Sequence, residues 1–76
     1  MPRLPRLTPD ELLRALHRDG WYKRRQVGSH LVMCNDAKPG RRVVVPIHSG
    51  KIIRPGLLSN ILEDAGLTPD ELERLL

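Results

Sequence analysis

The hexapeptide Leu-Thr-Pro-Asp-Glu-Leu stands at residues 7–12 and again at 67–72, and each copy is a complete helix start. Thr8 and Thr68 supply capping hydroxyls, Pro9 and Pro69 suit the first helical position, and Glu11 and Glu71 can each close a capping box. Leu7 with Leu12, and Leu67 with Leu72, have the spacing of a hydrophobic staple. Helices therefore bracket the chain, and whatever else it builds must fit between them. The first helix is predicted to run to about Asp19, burying Leu12, Leu13 and Leu16, with Gly20 as a left-handed stop.

From Trp21 the apolar period changes from helical to two, and three strands can be drawn: 21–27, 29–35 and 41–47. Gly28 marks the first turn, and Asp36-Ala37-Lys38-Pro39-Gly40 marks a second, longer one, so both links suit antiparallel hairpins. A loop over 48–54 leads into a helix over 55–65, where Leu58, Ile61, Leu62 and Ala65 form a stripe ended by Gly66. A short helix over 69–76 closes the chain. The order α-β-β-β-α plus a small helix is an α+β fold: one three-stranded antiparallel sheet with helices on one face and the other face open. A single domain spans 1–76, with Met1 to Arg6 expected as a loose tail because Pro2 and Pro5 deny it regular pairing.

At 76 residues, folding hides only roughly 60% of the unfolded chain's surface, which limits the protein to one thin core. A multidomain enzyme is excluded. The lone Cys34 cannot close an internal disulfide, so the fold must hold without a staple and a reducing compartment fits. The longest apolar runs, such as 43–45, are far shorter than a membrane span, and the first residues lack a signal-peptide core. A soluble cytoplasmic protein without membrane contact is expected.

The net charge of +4 conceals an asymmetry. Between Arg18 and Arg54 lie nine basic residues (Lys23, Arg24, Arg25, Lys38, Arg41, Arg42 and Lys51 besides the two ends) against only Asp19 and Asp36. The flanks are acidic. A concentrated positive field of this kind suits a polyanion, because each phosphate neutralised releases condensed counterions, although charge alone is equally that of a solvated basic face. With only Trp21 and Tyr22 as aromatics, readout by stacking several bases is disfavoured, and contact with the phosphate backbone is the better expectation.

A phosphate-binding glycine loop, a dinucleotide fingerprint and paired Cys-x-x-Cys ligands are all missing from the sequence. A two-metal nuclease needs converging carboxylates, and the basic stretch offers only Asp19 and Asp36, each beside a turn. A zinc ion held by His30, Cys34 and His48 is conceivable, since His30, Val32 and Cys34 share one face of a strand. The preferred reading assigns no metal or cofactor and takes Cys34 as a small buried strand residue. His17, near a helix C-terminus, is read as structural. His30 follows Gly28-Ser29 at the edge of Lys23-Arg24-Arg25: the glycine admits a phosphate backbone, the serine can donate to it, and the imidazole can move a proton. On spacing alone, a structural, a binding and a catalytic role for His30 all remain open. His48, beside Ser49-Gly50, is a weaker case of the same kind.

The strings Gly20-Trp21, Arg25-Gln26-Val27-Gly28-Ser29-His30, Val45-Pro46-Ile47-His48-Ser49-Gly50-Lys51 and Pro55-Gly56-Leu57-Leu58-Ser59-Asn60-Ile61-Leu62-Glu63-Asp64-Ala65-Gly66-Leu67 stand in that order, and together they resemble the HicA toxin family. The resemblance implies a fold like that of double-stranded-RNA-binding domains, cleavage of messenger RNA that arrests translation, and a HicB antitoxin as partner. It places the catalytic histidine at His30. Many relatives carry a threonine after the glycine that opens the second main helix, whereas this chain has Leu57, so no hydroxyl role carries over to that position.

The function expected is thus a metal-independent endoribonuclease toxin. His30 is its general base or acid, and Lys23, Arg24, Arg25, Gly28, Ser29, Arg42, His48 and Lys51 meet the RNA. The alternative is an RNA-binding module that cleaves nothing, and a third reading is an interaction subunit whose basic face meets an acidic protein. The free form is expected to be a monomer. The aliphatic surface and the acidic last helix (Asp70, Glu71, Glu73) are candidate antitoxin contacts.

Overall fold

The computed structural model describes residues 4–48 and 50–76. Helix α1 (Pro9–Arg18) leads into strands β1 (Trp21–Val27), β2 (His30–Asn35) and β3 (Arg42–Pro46), and helices α2 (Pro55–Ala65) and α3 (Pro69–Leu75) complete the chain. The sheet has the order β1-β2-β3, with both pairs antiparallel. The α+β arrangement read from the sequence is the one observed, and element ends differ from expectation by at most a residue or so. Among the described residues, no helix is long and apolar enough to cross a membrane.

Both copies of the repeated hexapeptide form full capping boxes. The Thr8 hydroxyl accepts from the Glu11 amide at 3.3 Å, and the Glu11 carboxylate accepts from the Thr8 amide at 2.9 Å; the corresponding distances at Thr68 and Glu71 are 3.1 and 2.9 Å. Helix α1 ends at Asp19, and Gly20 turns the chain at φ 99°. A side chain on Gly20 would also meet the Asn35 amide at 3.2 Å, so both conformation and space require glycine there.

One layer of contact makes the core. Trp21, Leu31, Met33, Val43 and Val45 point from the sheet into the helices and meet Leu12, Ala15 and Leu16 of α1 and Leu58, Ile61, Leu62 and Ala65 of α2. On α1 the fully buried positions are Leu12, Ala15 and Leu16, while Leu13, expected in the core, is only half-buried. Helical spacing places 12, 15 and 16 on the central stripe and leaves 13 at its margin.

Part of the segment expected as a loose tail is packed against the core. Residues 1–3 lie outside the described residues, but Leu4 packs against the core and Leu7 is buried, its carbonyl accepting from the Ile53 amide at 2.7 Å. That bond straps the segment beside the loop before α2, where an apolar side chain finds cover despite its prolines.

Three of the nine central cations act as clamps on helix C-termini. Arg18 donates to the Leu75 carbonyl at the end of α3. Lys38 donates to the Ala65 carbonyl at 2.7 Å and to the Asp19 carboxylate at 3.3 Å, and Arg41 donates to the Glu63 and Asp64 carbonyls. Unpaired carbonyls and the negative end of the helix dipole make these natural cation sites. Asp19 also accepts from the Trp21 indole at 3.1 Å. Asn35, the buried polar side chain among the described residues, donates to the Asp19 carbonyl and accepts from the Ala37 amide, each at 2.9 Å. The α1–β1 corner, the β2–β3 turn and the end of α2 are thereby knotted together.

Lys38→Met should lower stability by about 1–2 kcal/mol in urea unfolding, since it leaves helix carbonyls and a carboxylate without their charged donor. Arg24→Ala, which removes the same charge from an exposed strand position, should stay within about 0.5 kcal/mol of wild type. A pH dependence follows from the caps. Hydrogen bonds from the Thr8 and Thr68 backbone amides, reinforced by the hydroxyls, hold the Glu11 and Glu71 carboxyls below the usual value of 4.5. Folding therefore favours the carboxylate. Its stabilisation is complete above the ordinary carboxylate range and is lost as pH falls through the lowered folded values. Acid unfolding of a Glu11→Gln/Glu71→Gln variant should show a shallower dependence on pH than wild type.

Candidate active site on the open sheet face

Strand register decides which side chains can meet. On β2, Leu31, Met33 and Asn35 point into the molecule, so His30, Val32 and Cys34 point to the open face. Cross-strand pairing then defines three rows on that face: Val27, His30 and Pro46; Arg25, Val32 and Val44; Tyr22, Cys34 and Arg42.

A β-bulge alters the expected alternation on β1. Lys23 pairs with Met33, and the next paired residue is Arg25, opposite Val32, so Arg24 is the extra residue. Strict alternation would have placed Lys23 and Arg25 on one face and Arg24 on the other. With the bulge, Arg24 and Arg25 both border the open-face hollow around Val32 and Cys34, while Lys23 shares the helix-covered side with Trp21, Gln26 and Met33. The structure thus brings Arg24, Arg25 and Arg42 together and separates Lys23 from them. No feature of the sequence alone marks where the extra residue falls.

The β1–β2 turn presents His30. Gly28 takes φ 58°, and Ser29 does not have a positive φ, the pattern of a two-residue hairpin with glycine in the first central position. The Gln26 side chain donates to the Gly28 carbonyl at 3.0 Å, and the Ser29 carbonyl accepts from the Ile47 amide at 2.6 Å, so the turn is tied to both neighbouring strands. Space at Gly28 is open, with no atom within 4 Å of where a side chain would begin. Ser29 and His30 are exposed, and among the described residues the imidazole has no hydrogen-bonded protein partner.

His48 is also exposed, two residues beyond Pro46 at the same end of the sheet, and its carbonyl accepts from the Lys51 amide at 3.2 Å. Lys51 is exposed in the same loop. One end of the open face thus carries Gly28, Ser29 and His30, and His48 and Lys51 stand in the loop that follows β3 at that end of the sheet. Arg25 lies diagonally across from His30, at the roughly 7–8 Å expected of such neighbours; Arg24 adjoins it at the bulge, and Arg42 lies farther along, opposite Cys34.

Cys34 is half-buried on this face rather than in the core. It stands four residues along β2 from His30, on the order of 13 Å at the usual strand rise, which is too far for both to ligate one ion. Among the described residues, no three His, Cys, Asp or Glu side chains converge as a metal site.

The family model described as the HicA toxin of bacterial toxin-antitoxin matches residues 9–67, from the first residue of α1 to just past α2. The chain belongs to the HicA toxin family. The match takes in the whole sheet and the hairpin that carries His30, and it stops short of α3. The protein is accordingly the toxin member of a toxin-antitoxin pairing. No curated protein matches the chain.

At the far end of the face, the Tyr22 hydroxyl donates to Asp36 at 3.0 Å. That hydrogen bond, and then the carboxylate's charge, push the phenol's pKa above the usual 10. Because Tyr22 is the single tyrosine in the chain, its phenolate absorbance can be followed directly. The titration should lie above that of a free tyrosine in the native protein and move back toward it in Asp36→Asn.

Proposed function

We propose that this HicA-family toxin is an endoribonuclease that cleaves messenger RNA without a metal ion, with His30 as its general base or acid. The observation that carries the reading is the position of His30: an exposed imidazole without a protein partner, at the end of an open sheet face, beside a glycine hairpin that admits a phosphate and one row from Arg25.

The chemistry follows from those groups. An imidazole nitrogen of His30 takes the proton from the ribose 2′-hydroxyl, and the oxygen attacks the adjacent phosphorus. The bond from 2′-oxygen to phosphorus forms as that from phosphorus to the 5′-oxygen breaks, leaving a 2′,3′-cyclic phosphate and a 5′-hydroxyl whose proton comes from an acid or water. Arg25 faces the charge that develops on the phosphoryl oxygens, Ser29 and the open Gly28 turn receive the backbone, and His48 and Lys51 flank it from the neighbouring loop. Proton transfer by one imidazole contributes about 10²- to 10⁴-fold, so the remaining acceleration depends on how well the face holds the phosphate. Slow turnover is expected of such a site.

The partner in this reading is a HicB-type antitoxin that covers the open face. Acidic groups on it would neutralise Arg24, Arg25 and Arg42 while its bulk excludes RNA from His30. The free toxin is taken to act as a monomer in the cytoplasm, where its substrate is.

His30→Ala should lose about 10²- to 10⁴-fold in RNA cleavage, and with it growth arrest, while keeping wild-type affinity for RNA within a few-fold. Wild-type cleavage should persist in EDTA and stop when the attacking ribose is replaced by deoxyribose. Equal cleavage by wild type and His30→Ala would remove the histidine from the mechanism. RNA that is bound and left intact by wild type would leave a binding module.

A further inference from the structure

The open face carries more cationic surface than one phosphate at His30 can use. Away from the hairpin, Tyr22, Arg24, Arg25 and Arg42 wall a hollow of about 480 Å³ whose floor is Val32 and Cys34. Val32 is only 9% exposed although it is not part of the core cluster, because these side chains cover it from outside. Arg41 also borders the hollow, but its guanidinium is committed to the α2 carbonyls. Among the described residues, Arg24, Arg25 and Arg42 make neither an ion pair nor a side-chain hydrogen bond. The Tyr22 hydroxyl is held by Asp36, which sets its exposed ring as a flat wall beside them.

No carbonyl or carboxylate among the described residues holds these arginines in place. They sit together because a bulge adds one residue to β1, a departure from regular pairing that aims two consecutive arginines at one hollow. Burying Val32 beneath three unpaired guanidinium groups concentrates positive charge over a low-dielectric floor, which favours a multiply charged anion. The hollow begins at the row of Arg25 and Val32 and extends to that of Tyr22, Cys34 and Arg42, which is four residues along β2 from His30, or on the order of 13 Å. At the roughly 3.4 Å rise per nucleotide of a stacked strand, that distance is about four steps.

We infer that this arginine hollow is a second phosphate subsite for a single RNA strand lying along β2, so that the toxin acts on RNA extending several nucleotides from the bond that meets His30. The inference rests on the endoribonuclease reading. It adds a minimum substrate length and a division of roles: His30 and Arg25 serve the reacting phosphate, while Arg24, Arg42 and the Tyr22 ring hold a remote part of the same strand.

The test compares a dinucleoside monophosphate with a decanucleotide that carries one ribose at its centre and deoxyribose elsewhere. Wild type should cleave the decanucleotide with a kcat/KM at least a hundredfold higher. In Arg24→Ala/Arg42→Ala that length advantage should fall at least tenfold, mainly through KM, and the log–log salt slope of decanucleotide binding should drop by about 1.4. Both positions are exposed, and matching thermal unfolding curves will verify that the variant is folded. A length advantage unchanged in the variant, or absent from wild type, would overturn the subsite. If wild type cleaves neither substrate, the endoribonuclease reading fails, and the subsite is judged by fluorescence anisotropy with all-deoxy strands. Affinity that climbs steeply between two and about five nucleotides, and loses that climb in the double variant, supports it; affinity indifferent to length or to the two arginines refutes it.

Discussion

Register in this three-stranded sheet is held by one buried face. Trp21, Leu31, Met33, Val43 and Val45 must all meet the helices, and a slip of one residue along β2 would carry His30 toward the core and expose Leu31 and Met33 to water. The exposure of the histidine is therefore a consequence of burying its neighbours. So small a chain covers one side of its sheet with helices, and the uncovered side is where groups without a packing role can collect.

Positive charge in this protein stands in two separate settings, which net charge cannot distinguish. Arg18, Lys38 and Arg41 are bound to helix C-terminal carbonyls, and Lys38 also closes the knot through Asp19. Arg24, Arg25 and Arg42 are left unpaired on the open face among the described residues. Helix-end carbonyls without an intrahelical donor attract the first group. The second group is held by no acceptor among the described residues, and the proposed RNA substrate would supply its phosphates. Under the proposed function, an antitoxin that covers this face would meet the histidine and the arginines together.

Most of the element pattern was legible in the sequence because its signals are local. Capping boxes at Thr8 and Thr68, the φ-positive turns at Gly20, Gly28 and Gly66, and the change of apolar period at Trp21 each involve residues within a few positions of one another. The misreadings share a cause of the opposite kind. Leu4 was expected in a loose tail because its packing depends on the distant Ile53 strap. Cys34 is expected to be buried but is only half-buried, because its place on the outer face depends on which side the helices cover. Lys23 was grouped with Arg24 and Arg25 because the bulge that separates them is a matter of pairing with β2.

By itself, the sequence determined the helix starts, the hairpin turns, the apolar faces and the Gly28-Ser29-His30 run whose resemblance to the HicA family points to His30. Only the tertiary structure decided which cations are clamps and which are free among the described residues, that two arginines and not the adjacent lysine share the histidine's face, and that the arginine hollow begins one row from the histidine and runs away from it. The physical reason is range. Dihedral preference and capping act over three or four residues, whereas strand register, sheet facing and the pairing of a charge with a carbonyl dozens of positions away exist only once the chain has closed on itself.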